Sequence, residues 1–107
     1  MSNLLKDNEI KEFKENGAVL IKGKFNISWI EKLKKGIKKA KDNPSPRFVN
    51  HTKDKKLPGY YEDFWTWNLY EEFKEFVFNS PTPKIAAELL DAKKINLVMD
   101  NWFFREA

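Results

Sequence analysis

Residues 95–107, INLVMDNWFFREA, limit what this chain can fold into more than any other stretch. In an extended conformation Ile95, Leu97, Met99, Asn101 and Phe103 fall on one face, and Asn96, Val98, Asp100, Trp102 and Phe104 on the other. Both faces are largely apolar, the pattern of a strand covered on two sides. With typical strands about six residues long, the run suits one strand, or two joined at a bulge near Asp100 and Asn101. Such a strand needs partners. The residues before it read mainly as helices and connections, so the sequence predicts the beginning of something larger.

A chain of 107 residues has the length of one domain, near the small end of what buries a substantial core. Its 41% hydrophobic and 15% aromatic content predicts a folded protein rather than a disordered one. The net charge is only +4, and Arg47 and Arg105 are the only arginines among 20 basic residues. Lysine lacks the planar fork that reads phosphates and bases, so this bias predicts a solvated surface and no nucleic-acid partner. The absence of cysteine excludes disulfides and thiolate zinc sites. No apolar run approaches the roughly 20 residues of a membrane span, and residues 1–13 do not read as a signal peptide. The expectation is a cytoplasmic protein that does not engage a membrane.

Along the chain, Asp7 reads as the N-cap of a first helix carrying Ile10 and Phe13, with Gly17 ending it. Residues 18–21, AVLI, read as a short buried strand between two glycines. Ser28 and Glu31 have capping-box spacing for a second helix. Its apolar stripe is Ile30, Leu33, Ile37 and Ala40, and its lysines fall off that stripe as a solvated face. Residues 42–59 read as a mobile loop holding the only histidine, His51. His51 and Asp54 are too few for a metal site, so no metal ligand is assigned.

Residues 60–68, YYEDFWTWN, concentrate the aromatics. Glu62 and Asp63 among them repel a phosphate backbone, which leaves a packed aromatic cluster or the wall of a ligand pocket. Asn68 with Glu71, and Thr82 with Pro83, mark the starts of a third and a fourth helix.

Four stretches in order, EFKENGAVLIKG (12–23), GYYEDFWTW (59–67), FVFNSPTPKIAAELL (76–90) and INLVMDNWFFRE (95–106), resemble the amino-terminal part of the phytanoyl-CoA dioxygenase family. The resemblance implies an α+β fold: an amino-terminal helical layer and the first strands of a double-stranded β-helix, or jelly-roll, incomplete in this chain, so that residues 1–107 form one partial domain. For the intact family member it implies iron(II), 2-oxoglutarate and hydroxylation of a small-molecule substrate. The family's His-x-Asp pair, distal histidine and closing arginine are not in this sequence. No catalytic residue, metal ligand or cofactor is therefore expected for this chain alone. By the same resemblance Asn101 and Arg105 are candidates for the edge of a 2-oxoglutarate pocket. The alternative for Arg105 is a pair with Glu106 or with solvent.

From another class comes an interaction module that uses the exposed final strand to pair with a partner or with itself.

Overall fold

The computed structural model describes residues 3–107. Four helices and three strands follow in the order α1 (Asp7–Asn16), α2 (Ile27–Asp42), β1 (Val49–Asn50), β2 (Tyr60–Phe64), α3 (Glu71–Asn79), α4 (Thr82–Leu90) and β3 (Asn101–Arg105). The protein is α+β, as the sequence predicts. Its strands form one antiparallel sheet, β1-β2-β3. The second sheet of a double-stranded β-helix is not among the described residues.

Register sorts the side chains. Tyr61 lies opposite Phe104 and Asp63 opposite Trp102, while Tyr60, Glu62 and Phe64 lie opposite Arg105, Phe103 and Asn101. Because side chains alternate along a strand, these two sets occupy opposite faces. The first face meets the helices. Trp102 packs there with Ala40 of α2 and Phe73 of α3, surrounded by Leu33, Ile37, Tyr61 and Phe104. Gly36 is what lets α2 and α3 approach: a Cβ at that position would lie 2.6 Å from Phe73 Cε1. Ion pairs from Lys32 to Glu75 and from Lys39 to Glu72 run along the same helix contact.

The inner face also holds a polar knot. Asp63 is fully buried, and its carboxylate accepts from the Ser45 amide at 2.8 Å and the Ser45 hydroxyl at 2.5 Å. A buried carboxylate needs such donors. These bonds tie the turn after α2 to the centre of the sheet.

Several local expectations change. Residues 18–21 form no strand, and Leu20 is 74% exposed, because no strand lies alongside to complete a ladder. The final strand begins only at Asn101. Residues 95–100 are irregular, and β3 is covered on one face: Trp102 is buried, whereas Phe103 is 55% exposed. The expected loop at residues 42–59 contains β1, and the aromatic cluster supplies β2, whose mixture of tyrosines with Glu62 and Asp63 hides its alternation. Caps shift too. Lys6 precedes α1, and its amide donates to Glu9; the Asn26 side chain, rather than Ser28, caps α2 by accepting from the Trp29 amide. Tyr70 and Pro81 hold the corresponding positions before α3 and α4, where Asn68 and Thr82 were expected.

The molecule is spread out, with extents of 48 × 28 × 26 Å. Its radius of gyration is 16.2 Å, against about 13 Å for a compact chain of this length. Its accessible surface is 8297 Å², against about 6,200 Å² for a compact monomer of this mass. Much apolar surface is left uncovered by the helices and the single sheet. Substituting Gly36→Ala should destabilise the protein by about 1–2 kcal/mol, since overpacking against Phe73 outweighs the gain in helix propensity. Urea unfolding checks this, and an unchanged midpoint would contradict the close helix approach.

Candidate functional site

Among the described residues the outer face of the sheet carries no helix, and it presents Glu62, Asn101 and Arg105. Its central residue is Glu62. One carboxylate oxygen accepts from Asn101 Nδ2 at 2.9 Å, and the other lies 2.7 Å from His51 Nε2. The three strands supply one residue each or nearly so, for His51 immediately follows β1 and its amide donates to Tyr60 O at 2.8 Å. Aromatic rings border this chain of contacts. Tyr60 stacks on Phe103 with ring centroids 6.0 Å apart, and His51 leans on Tyr60 at 5.3 Å.

The hydrogen bond from Asn101 is the largest influence on the Glu62 carboxyl, followed by that to His51; together they hold its pKa below the ordinary glutamate value, against an opposing effect of desolvation. Glu62 is thus kept as an acceptor. The group arranges side chains across the sheet but does not by itself assemble a nucleophile with a base.

Arg105 shares this face, opposite Tyr60. Its guanidinium has no ion pair or hydrogen bond among the described residues. Glu106, the alternative partner, turns the other way, accepting from the Gly59 amide at 2.9 Å and the Tyr61 hydroxyl at 3.3 Å. Asn101 and Arg105 therefore lie on one face, as a shared pocket wall requires. They are not brought together: four residues along a strand is about 13 Å, and Phe103 stands between them.

His51 does not pair with Asp54. It meets Glu62, eleven residues on, and Asp54 accepts from the Lys56 amide. Sequence spacing misses the His51–Glu62 contact because a hairpin register creates it. Among the described residues no group of three or more His, Cys, Asp or Glu side chains could hold a metal ion. A facial iron site takes two histidines and a carboxylate, so the residues present here do not fit iron. Nor is any helix among the described residues long and apolar enough to cross a membrane.

At the end of β2 a second feature stands out. Trp65 has φ 57°, in the left-handed region that non-glycine residues seldom adopt, and its ring is half-exposed. Arg47 braces the turn: Nε donates to Phe64 O at 2.9 Å and Nη2 to Trp65 O at 3.0 Å, while the Trp65 amide donates to Asp100 O at 3.1 Å. Of the two arginines, Arg47 thus braces the end of β2, whereas Arg105 lies on the open face of the sheet.

No protein-family model, curated protein or solved structure matches this chain.

Replacing Asn101→Ala removes the principal hydrogen bond on Glu62 and should raise its pKa toward the ordinary value. The folded-state pKa is depressed, so the associated stability is present above the unfolded pKa and declines as pH falls through the folded one. Carbon-13 titration of the Glu62 carboxyl checks the shift. An unchanged pKa would mean that Asn101 does not set it.

Proposed function

We propose that this chain is the amino-terminal portion of a phytanoyl-CoA dioxygenase-like, iron(II)- and 2-oxoglutarate-dependent hydroxylase that acts on a small molecule in the cytoplasm. In this reading the helices are the outer layer of a double-stranded β-helix, β1–β3 are part of one of its sheets, and residues 1–107 are one partial domain. One observation carries it: the sheet has helices on its inner-core face only, and its other face presents Asn101, Arg105 and the His51–Glu62 pair. An oxygenase barrel requires such an arrangement, with packing outside and polar side chains turned to the cavity.

Residues of this chain would form a wall of that cavity and would not hold the iron, which needs ligands this sequence lacks. Arg105, without an ion pair among the described residues and opposite Tyr60, suits a carboxylate, since a guanidinium offers two parallel donors. The chain alone is expected to be inactive. Nucleic acid and membrane have no place in this reading.

A second reading is favoured by a different observation, the open edge of β3, which has β2 on one side and no strand on the other among the described residues. An uncovered edge is a template for strand addition, by a partner or by a second copy. In the oxygenase reading the same edge takes a further strand of the barrel.

The discriminating titration adds 2-oxoglutarate to the 107-residue chain and follows backbone amide signals. The oxygenase reading predicts millimolar-range shifts centred on Arg105 and lost in Arg105→Ala. Absence of shifts, shifts away from the open face, or iron-dependent succinate production by this chain alone would contradict it.

A further inference from the structure

The amino-terminal helix is held differently from the rest of the molecule. Among the helices and strands, α1 packs chiefly on α4, and α4 packs on α3. No residue of α1 is buried. A helix of ten residues is too short to persist in water by its own propensity, since isolated helices below about 12 residues are marginal. Its order therefore depends on what fastens it.

The fastening lies just ahead of the helix. Leu5 is buried, and it stands apart from the cluster around Trp102. The Leu4 and Leu5 amides donate to the two carboxylate oxygens of Glu88, at 3.0 and 3.1 Å. Glu88 occupies the last turn of α4, where no basic residue accompanies it. A carboxylate at that end meets the negative pole of the helix and is unfavourable for α4 itself. Two charge-assisted bonds to backbone donors offset this, so the position makes physical sense as a latch.

Between α1 and α2 the chain is loosely held. Residues 18–25 contain no helix or strand, and their backbone makes no hydrogen bond among the described residues. Gly17 and Gly23, both at φ 75°, turn the chain within this stretch. Its far end is pinned, because Phe25 stacks on Phe76 of α3 with ring centroids 5.9 Å apart. The contact of α1 with α4 is itself incomplete. A hollow of about 570 Å³ lies there, with Asn3, Ile10 and Lys14 on one side and Ala87, Glu88 and Ala92 on the other. An unfilled hollow forfeits the dispersion contacts that close packing would supply.

We infer that residues 3–16 form a latched strap, which docks on α4 and folds as one unit, with the Glu88 carboxylate as its latch and residues 17–24 as its hinge. Release of the latch unwinds α1 and uncovers the surface of α4 around Ala87 and Glu88, while the core around Trp102 stays closed. The strap is thus an order-disorder element built into one end of the fold. The inference rests on neither reading of the sheet, and 2-oxoglutarate titration tests the oxygenase reading separately.

Native-state hydrogen exchange of the 107-residue chain in low concentrations of urea tests it. The amides from Ile10 to Gly17 should exchange through local opening, at rates that barely change with urea, while those of Trp102 and Phe104 speed up with it. Glu88→Gln should speed the α1 amides about tenfold, and Leu5→Ala by at least about tenfold, with Trp102 and Phe104 unchanged. The exposed Glu12→Gln, a charge loss of the same size outside the latch, should alter the α1 rates by less than about twofold. Four results would overturn the inference: a shared urea dependence of α1 and the sheet in the unaltered chain, unchanged α1 rates in Glu88→Gln, equal acceleration of α1 and the sheet in that variant, or an equal effect of Glu12→Gln. Protection of α1 that rises with protein concentration would also overturn it, since the strap would then dock on a second copy.

Discussion

The sheet is covered on one face only, and most other properties of the molecule follow from that constraint. Trp102 is the pivot. Its ring packs with Ala40 of α2 and Phe73 of α3, and Tyr61 and Phe104 join it in fixing the sheet to the helices. The Asp63 carboxylate, buried on the same side and bonded to Ser45, fixes the other end of the inner face. With packing concentrated there, alternation sends Glu62, Asn101, Phe103 and Arg105 outward together. Exposed side chains, polar ones among them, and structural packing thus occupy opposite sides of the same strands.

One-sided cover also explains the shape. Only Leu5, Ala40, Phe73 and Trp102 are buried apolar residues among those described, a small core for a chain of this size. Val98 is 91% exposed and Phe103 more than half so. In both readings proposed for the chain, this uncovered apolar surface is covered by a further polypeptide segment. An oxygenase barrel and a strand-accepting module both place another polypeptide segment beside β3, and they differ in what meets the outer face.

Helices were legible in the sequence because the stripe at Ile30, Leu33, Ile37 and Ala40 has a period that tertiary structure does not disturb. Their caps were less so. Lys6, Tyr70 and Pro81 occupy positions that the preferred capping residues nearby do not, because chain direction into each helix is set by what precedes it. The strands were harder to read. Residues 18–21 have the composition of a strand without a partner, and β2 mixes aromatics with carboxylates because one of its carboxylates, Asp63, is buried. The candidate site shows the same division. Asn101 and Arg105 lie on the strand expected for them, on the exposed face, whereas Glu62 and His51 join them only through a register that no local spacing encodes.

Amide hydrogen exchange of β3 in the free chain tests this account most directly. A strand paired on one edge should exchange in alternation: Trp102 and Phe104 slowly, and Asn101, Phe103 and Arg105 at rates near those of exposed backbone. Uniform protection of all five would show that β3 has a partner on both sides, and uniform rapid exchange would show that the ladder to β2 does not hold; either result would contradict a one-sided sheet with an open edge.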